Sequence, residues 1–225
     1  RVNTGAIILQ HTSITGSNIT LNARDVDIDG GTTANPVVFG NSTSPGTISI
    51  TNSSNDGGNT DTWTGNHNYY GDVTLNYTGF RNNAEEDWII GGNSGDTFTF
   101  NQNVTINQNA GESNGNILLA NNSNVRITIA GNLILNSTED GGIRWNQGNN
   151  ATSTTSVAGS LNMNGHSQGD LVLNYLDVAG SGDMGAATVD LFEARNSVFR
   201  GNADIRERVN TGAIILQHTS ITGSN

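Results

Sequence analysis

The chain has 225 residues, with nine arginines, no lysine, 20 acidic residues and a net charge of −11. That balance repels nucleic acid and anionic lipid, and no apolar run approaches the roughly 18 residues needed to span a bilayer. With no cysteine, neither disulfides nor thiolate metal sites contribute, which suits an extracellular or cell-surface bacterial protein better than a small disulfide-stapled scaffold.

The first element is also the last. Arg1–Asn18 (RVNTGAIILQHTSITGSN) returns letter for letter as Arg208–Asn225, a period of 207 residues. Residues 1–207 therefore read as one full tandem repeat, and 208–225 as the first coil of the next identical one. Asn, Gly, Thr and Ser make up almost half the chain, a polarity that would fit disorder. The apolar residues alternate, however, which a disordered tract has no reason to do.

In chain order, the pattern apolar–x–apolar–Asn appears at Ile19–Asn22, Val73–Asn76, Phe98–Asn101, Val104–Asn107, Leu133–Asn136, Leu161–Asn164 and Leu171–Asn174, with Ile7–Gln10 a variant. A period of two puts both apolar side chains on one face of a short strand. Asn then ends the strand, because it tolerates left-handed backbone and bonds nearby peptide groups. Many units continue into a second strand: Ile19 and Leu21 precede Val26 and Ile28, Phe98 and Phe100 precede Val104 and Ile106, and Ile127 and Ile129 precede Leu133 and Leu135. Anchors at 19, 48, 73, 98 and 127 are spaced by one coil each. The spacing predicts an all-β, parallel β-solenoid (β-helix) of about eight or nine coils per repeat, with Asn stacked on Asn along the axis. Buried positions would include Ile19, Leu21, Phe98, Phe100, Ile127, Ile129, Leu171 and Leu173.

An antiparallel sandwich also alternates, but strands of three or four residues are short for one. The nearest approach to a helix, Ala186–Arg195, is interrupted by Val189 and Asp190. Polar stretches at Asn52–Gly71, Asn107–Asn116 and Asn136–Ser156 read as long lateral loops. The second copy, Arg208–Asn225, should pair as a new coil against the preceding one, with Ile214 and Leu216 buried.

This grammar resembles the β-helical repeat regions of giant bacterial surface adhesins, including filamentous-haemagglutinin-like proteins. It also resembles the tandem-repeat filaments that gliding filamentous bacteria use for attachment or prey capture. The likeness is architectural, and it implies a fold and a lifestyle without assigning any residue a role.

Asp25, Asp27 and Asp29 (DVDIDG) match the opening of an oxygen-ligand calcium loop, so calcium is the one cofactor the sequence admits. Against it, Pro36 occupies the twelfth position, where a carboxylate belongs, and Val26 and Ile28 fit an inward strand face that leaves the aspartates solvated. Residues Asn55–Gly71 carry Asp61, Trp63, Tyr69 and Tyr70, the densest aromatic group in the chain. Rings beside polar acceptors suit glycan binding; the competing reading has them clamp the loop onto the wall. Outward Thr at the strand centres (Thr20, Thr74, Thr99, Thr105, Thr128) reads as ordinary exposed strand. No paired carboxylates or histidine constellation support a β-helix polysaccharide lyase or hydrolase, so catalytic residues are expected to be none.

The expected function is a structural repeat, a shaft segment of a long extracellular adhesive filament. Its partners would be neighbouring identical repeats in the same chain and parallel copies in a homo-oligomeric filament. A glycan-binding adhesin repeat acting through the aromatic loop 55–71 is one alternative, and a β-helix polysaccharide lyase or hydrolase is another.

Overall fold

The computed structural model describes residues 5–53, 60–79, 87–110, 115–183, 188–205 and 212–223. Those residues hold 24 strands and no helix. Among the described residues all strand pairings are parallel, and the one antiparallel contact is an isolated bridge between Gly31 and Asn66.

The strands fall into three series that the chain visits in turn. The first is a nine-stranded sheet running Ala6–Gln10, Asp25–Asp29, Asp61–Thr64, Trp88–Ile90, Ile117–Leu119, Ile143–Trp145, Asp170–Leu173, Leu191–Arg195 and Ala213–Gln217. The second includes Val37–Gly40, Thr97–Phe100, Arg126–Ile129, Thr154–Val157 and Leu176–Val178. The third includes Asn18–Ala23, Gly46–Asn52, Val104–Gln108 and Leu133–Ser137. The twelve-residue strand Asn66–Tyr77 belongs to both, pairing with the second series through its first half and the third through its second. This parallel, helix-free arrangement is consistent with the expected solenoid and leaves no antiparallel sandwich.

Register aligns like with like along each series. Inward columns run Ile28–Trp63–Ile90–Leu119–Trp145–Leu173 in the first series and Phe39–Tyr69–Phe100–Ile129–Val157 in the second. In the third the column is Ile48–Val73–Val104–Leu133–Leu161. Each of these residues is at most 2 % exposed, and they form one continuous core. Burial removes their apolar area from water, the main favourable term in folding. Of the expected core, Ile19, Phe98, Phe100, Ile127, Ile129, Leu171 and Leu173 are buried, while Leu21 is partly buried against the core.

Three expectations need correction. First, the anchors 19, 48 and 73 are in register, but Val73 is followed by Val104, whereas Phe98 pairs with His67 and Ile127 on the second series. Successive positions in the third series are 29, 25, 31, 29, 28, 21 and 21 residues apart, from Ile19 to Ala203. Second, none of the seven motif asparagines has left-handed backbone. Asn22, Asn76, Asn107 and Asn136 lie inside strands, because alternation runs one residue further and turns Ala23, Tyr77, Gln108 and Ser137 inward. Left-handed residues recur instead just after the first-series strands, at His11, Gly65, Gly91, Ala120, Asn146, Tyr175, Asn196 and His218, with others at Gly40, Gly71, Gly95, Asn124, Asn149 and Gly169. Third, the stretches read as loops contain strands: Asp61–Thr64 and the first half of Asn66–Tyr77 in one, Ile143–Trp145 and the start of Thr154–Val157 in another. Residues 54–59 and 111–114 of those stretches lie outside the described residues.

Candidate functional site

The three aspartates of the calcium motif share one strand, Asp25–Asp29, with Val26 and Ile28 buried between them. Alternate residues on a strand are about 7 Å apart, so their carboxylates do not converge. Each has its own partner. Asp25 is buried and bridged by the Arg24 guanidinium at 2.6 Å. Asp27 accepts the Thr62 N–H at 2.8 Å, and Asp29 accepts the Thr64 hydroxyl at 3.3 Å. Among the described residues, no three His, Cys, Asp or Glu side chains are grouped to hold a metal ion.

The aromatic group is assembled, but inward. Trp63 and Tyr69 are fully buried, and only Tyr70 keeps a partly exposed ring. Tyr69 stacks between Phe39 and Phe100, with ring centroids 5.1 and 4.7 Å away, and Trp63 meets Trp88 edge to face at 5.1 Å. The Trp63 indole N–H donates to the Val26 carbonyl at 2.8 Å. These rings have no face free for a pyranose. Asp61 is buried too and accepts the Asn52 amide at 2.6 Å, a bond that ties the third series to the first. Trp63 is on the inward face of Asp61–Thr64, and His67 and Tyr69 alternate on the inward face of the next strand, disguised because His and Tyr are polar by composition.

His67 lies in the same stack, its ring 4.5 Å from Phe98. Its Nε2 contacts the Thr64 carbonyl at 2.6 Å, and its Nδ1 faces the Tyr69 hydroxyl at 3.3 Å. Burial is the main cause that lowers its pKa to about 4, against the opposing pull of Thr64 and Asp29. The ring is thus neutral, with Nε2–H donating and Nδ1 accepting. Burial raises the Tyr69 phenol well above its usual range. His166 is the second such residue, also lowered to about 4 mainly by burial. A histidine 1 % exposed reaches no substrate, so both belong to the core.

One feature escaped the sequence pattern, an inward polar column at the ends of the third-series strands. There Gln108 accepts the Ala110 N–H at 3.0 Å and donates to the Gly115 carbonyl, and the Ser137 hydroxyl donates to the Glu139 carbonyl at 3.0 Å. Strand parity was the available signal for it, once the strand is carried one residue past Asn. The expected stacking of Asn on Asn is present at three of the motif asparagines, as an outward amide ladder: Asn136 donates to Asn107 at 2.8 Å, Asn107 to Asn76 at 2.7 Å, and Asn76 to the Thr51 hydroxyl at 3.4 Å.

The most specific site is the pair of ends. Ala6–Gln10 is the outermost strand at one edge of the first sheet and Ala213–Gln217, the same five residues, is outermost at the other. The first copy pairs with Asp25–Asp29 from Ala6↔Asp25 to Gln10↔Asp29. The second pairs with Leu191–Arg195 from Ala213↔Leu191 to Gln217↔Arg195. Both end in the same left-handed histidine, with φ of 48° at His11 and 52° at His218. The described part of the second copy does pair against the preceding strands, as expected. Leu216 is nonetheless 46 % exposed and Ile214 only partly buried, because no strand lies beyond them.

Comparison with known proteins adds no relative: no family model, no curated protein and no solved structure matches this chain.

Proposed function

We propose that this chain is a shaft segment of a long extracellular adhesive filament, in which residues 1–207 form one β-solenoid repeat of eight coils and 208–225 open the next. The observation that carries this reading is the use of one sequence at two edges. Ala6–Gln10 receives a strand on one side and Ala213–Gln217 on the other, so superposing the copies places a strand on both sides of the segment. Repeats joined this way bury each other's open edges and continue the apolar columns without a seam. Stability then grows as a sum of nearest-neighbour terms, which suits a spacer whose task is reach. The separated carboxylates and enclosed histidines favour a structural role over a catalytic one. The test is a series of parent proteins with repeats deleted, displayed on cells and imaged by electron microscopy. Filament length should fall in steps of about 40 Å per repeat, from about 4.8 Å per coil. Length independent of repeat number would overturn the spacer role.

A further inference from the structure

We propose that two copies of this chain pair side by side, pointing the same way, through the outward face of the third series, which carries asparagine and threonine but almost no charge. The inference rests on the proposed rod and adds a partner to its flank; the occupant of that face is a second copy of this chain.

Strand parity defines the face. Outward positions along the third series line up as Thr20, Ser49, Thr74, Thr105, Ile134 and Asn162. The amide ladder of Asn76, Asn107 and Asn136 runs beside this column on one side. On the other side Asn103 donates to the Asp72 carboxylate at 2.9 Å and accepts the Asn132 N–H at 2.8 Å. These bonds along the axis hold both rows in place, so the side chains have little freedom left to lose on contact. Among the described third-series strands from Asn18 to Asn162, Asp72 is the one charged residue. The other faces are charged: Asp27, Asp29, Arg144 and Glu193 point outward from the first series, and Arg126 and Asp177 from the second.

Charge selects the face. Copies with a net charge of −11 repel one another, and a charge enclosed between them without a partner is costly. The third series is where a second copy approaches closely without bringing like charges together. Pairing across a face then selects the orientation. Two parallel rods related by a two-fold axis along the central column set each outer row opposite the other, at the same level. Asn103 meets Asn107 and Asn132 meets Asn136, and each amide offers both a donor and an acceptor. Asp72 meets the Asn76 amide, a donor, instead of a second carboxylate. Thr105 meets Thr105. Six strands at about 4.8 Å, each about 17 Å wide, give roughly 500 Å² on each copy. That is about 1,000 Å² in total, below the roughly 1,200–2,000 Å² of stable specific interfaces. One repeat therefore pairs weakly, and successive repeats of one rod reinforce it by effective concentration.

Sedimentation velocity across a concentration series tests this with the 225-residue chain and a three-repeat chain. The three-repeat chain should dimerise at a concentration at least tenfold below that of the single repeat. Thr105→Asp in every repeat should abolish pairing, as should Thr105→Arg, because each sets like charges against each other. Mixing the two variants should restore a dimer, a result that neither misfolding nor a different contact face gives. Thr128→Asp, on the second series, should leave pairing unchanged. Monomers of the three-repeat chain at every concentration, pairing that survives Thr105→Asp, or a mixture that stays monomeric overturns the proposal. The length of the Thr105→Asp chain in electron micrographs tests the rod separately.

Discussion

Single residues set the local costs. Ala120 closes the turn after Ile117–Leu119 with φ of 54°, where a Cβ is disfavoured by about 1–2 kcal/mol, and Gly91 takes the equivalent place one strand earlier at φ of 87°. Ala120→Gly should therefore raise unfolding stability by roughly 1 kcal/mol, after allowing for the greater freedom of Gly in the unfolded chain. Gly91→Ala should lower it, since a Cβ there meets Val125 Cγ1 at 2.8 Å; urea midpoints measure both. The buried histidines govern acid behaviour. His67 and His166 titrate near 4 when folded and near 6.5 when unfolded, so the unfolded chain binds more protons between those values. Stability is full above about pH 6.5 and falls as pH drops toward 4. At pH 5 the loss is about 2 kcal/mol per histidine. Urea titrations at pH 7 and 5 should show it, and His67→Phe should remove roughly half of the difference. An equal loss in that variant would mean that His67 is not the titrating group.

At the scale of elements, the chain turns by close approach as well as by left-handed residues. Between the second and third series a row of glycines stacks, with Gly159 N–H donating to the Gly131 carbonyl at 2.9 Å and Gly180 to Gly159 at 2.8 Å. A Cβ on Gly159 would sit 2.4 Å from Asn132 Oδ1 and 2.6 Å from the Gly131 carbonyl oxygen. Gly159→Ala should then cost at least 2 kcal/mol by forcing backbone apart, visible as a lower thermal midpoint. Asn107→Ala removes two steps of the outward ladder, to Asn76 and Asn136, and should cost about 1–2 kcal/mol. Strand positions and their inward faces were legible from period two alone, as at Phe98–Phe100 and Val104–Ile106. Corners were not, because the left-handed residue varies among His, Gly, Ala, Asn and Tyr. Trp63 and Tyr69 were misleading for a related reason: composition marks an aromatic cluster, while only parity shows which way it faces.

Over the whole molecule, the duplicated segment was the clearest signal in the sequence. Its meaning depended on geometry that no motif carries, namely that its two copies are outermost at opposite edges of one parallel sheet. In the proposed filament the outermost strands of each repeat find a neighbour in the next. The central claim is that repeats continue one rod. Small-angle X-ray scattering of a one-repeat and a two-repeat chain, at concentrations where neither associates, tests it most directly. A continuous rod gives an unchanged cross-sectional radius and a maximum dimension longer by about 38 Å, eight coils at about 4.8 Å. A profile of two separate bodies joined by a flexible link, or a widened cross-section, would contradict it.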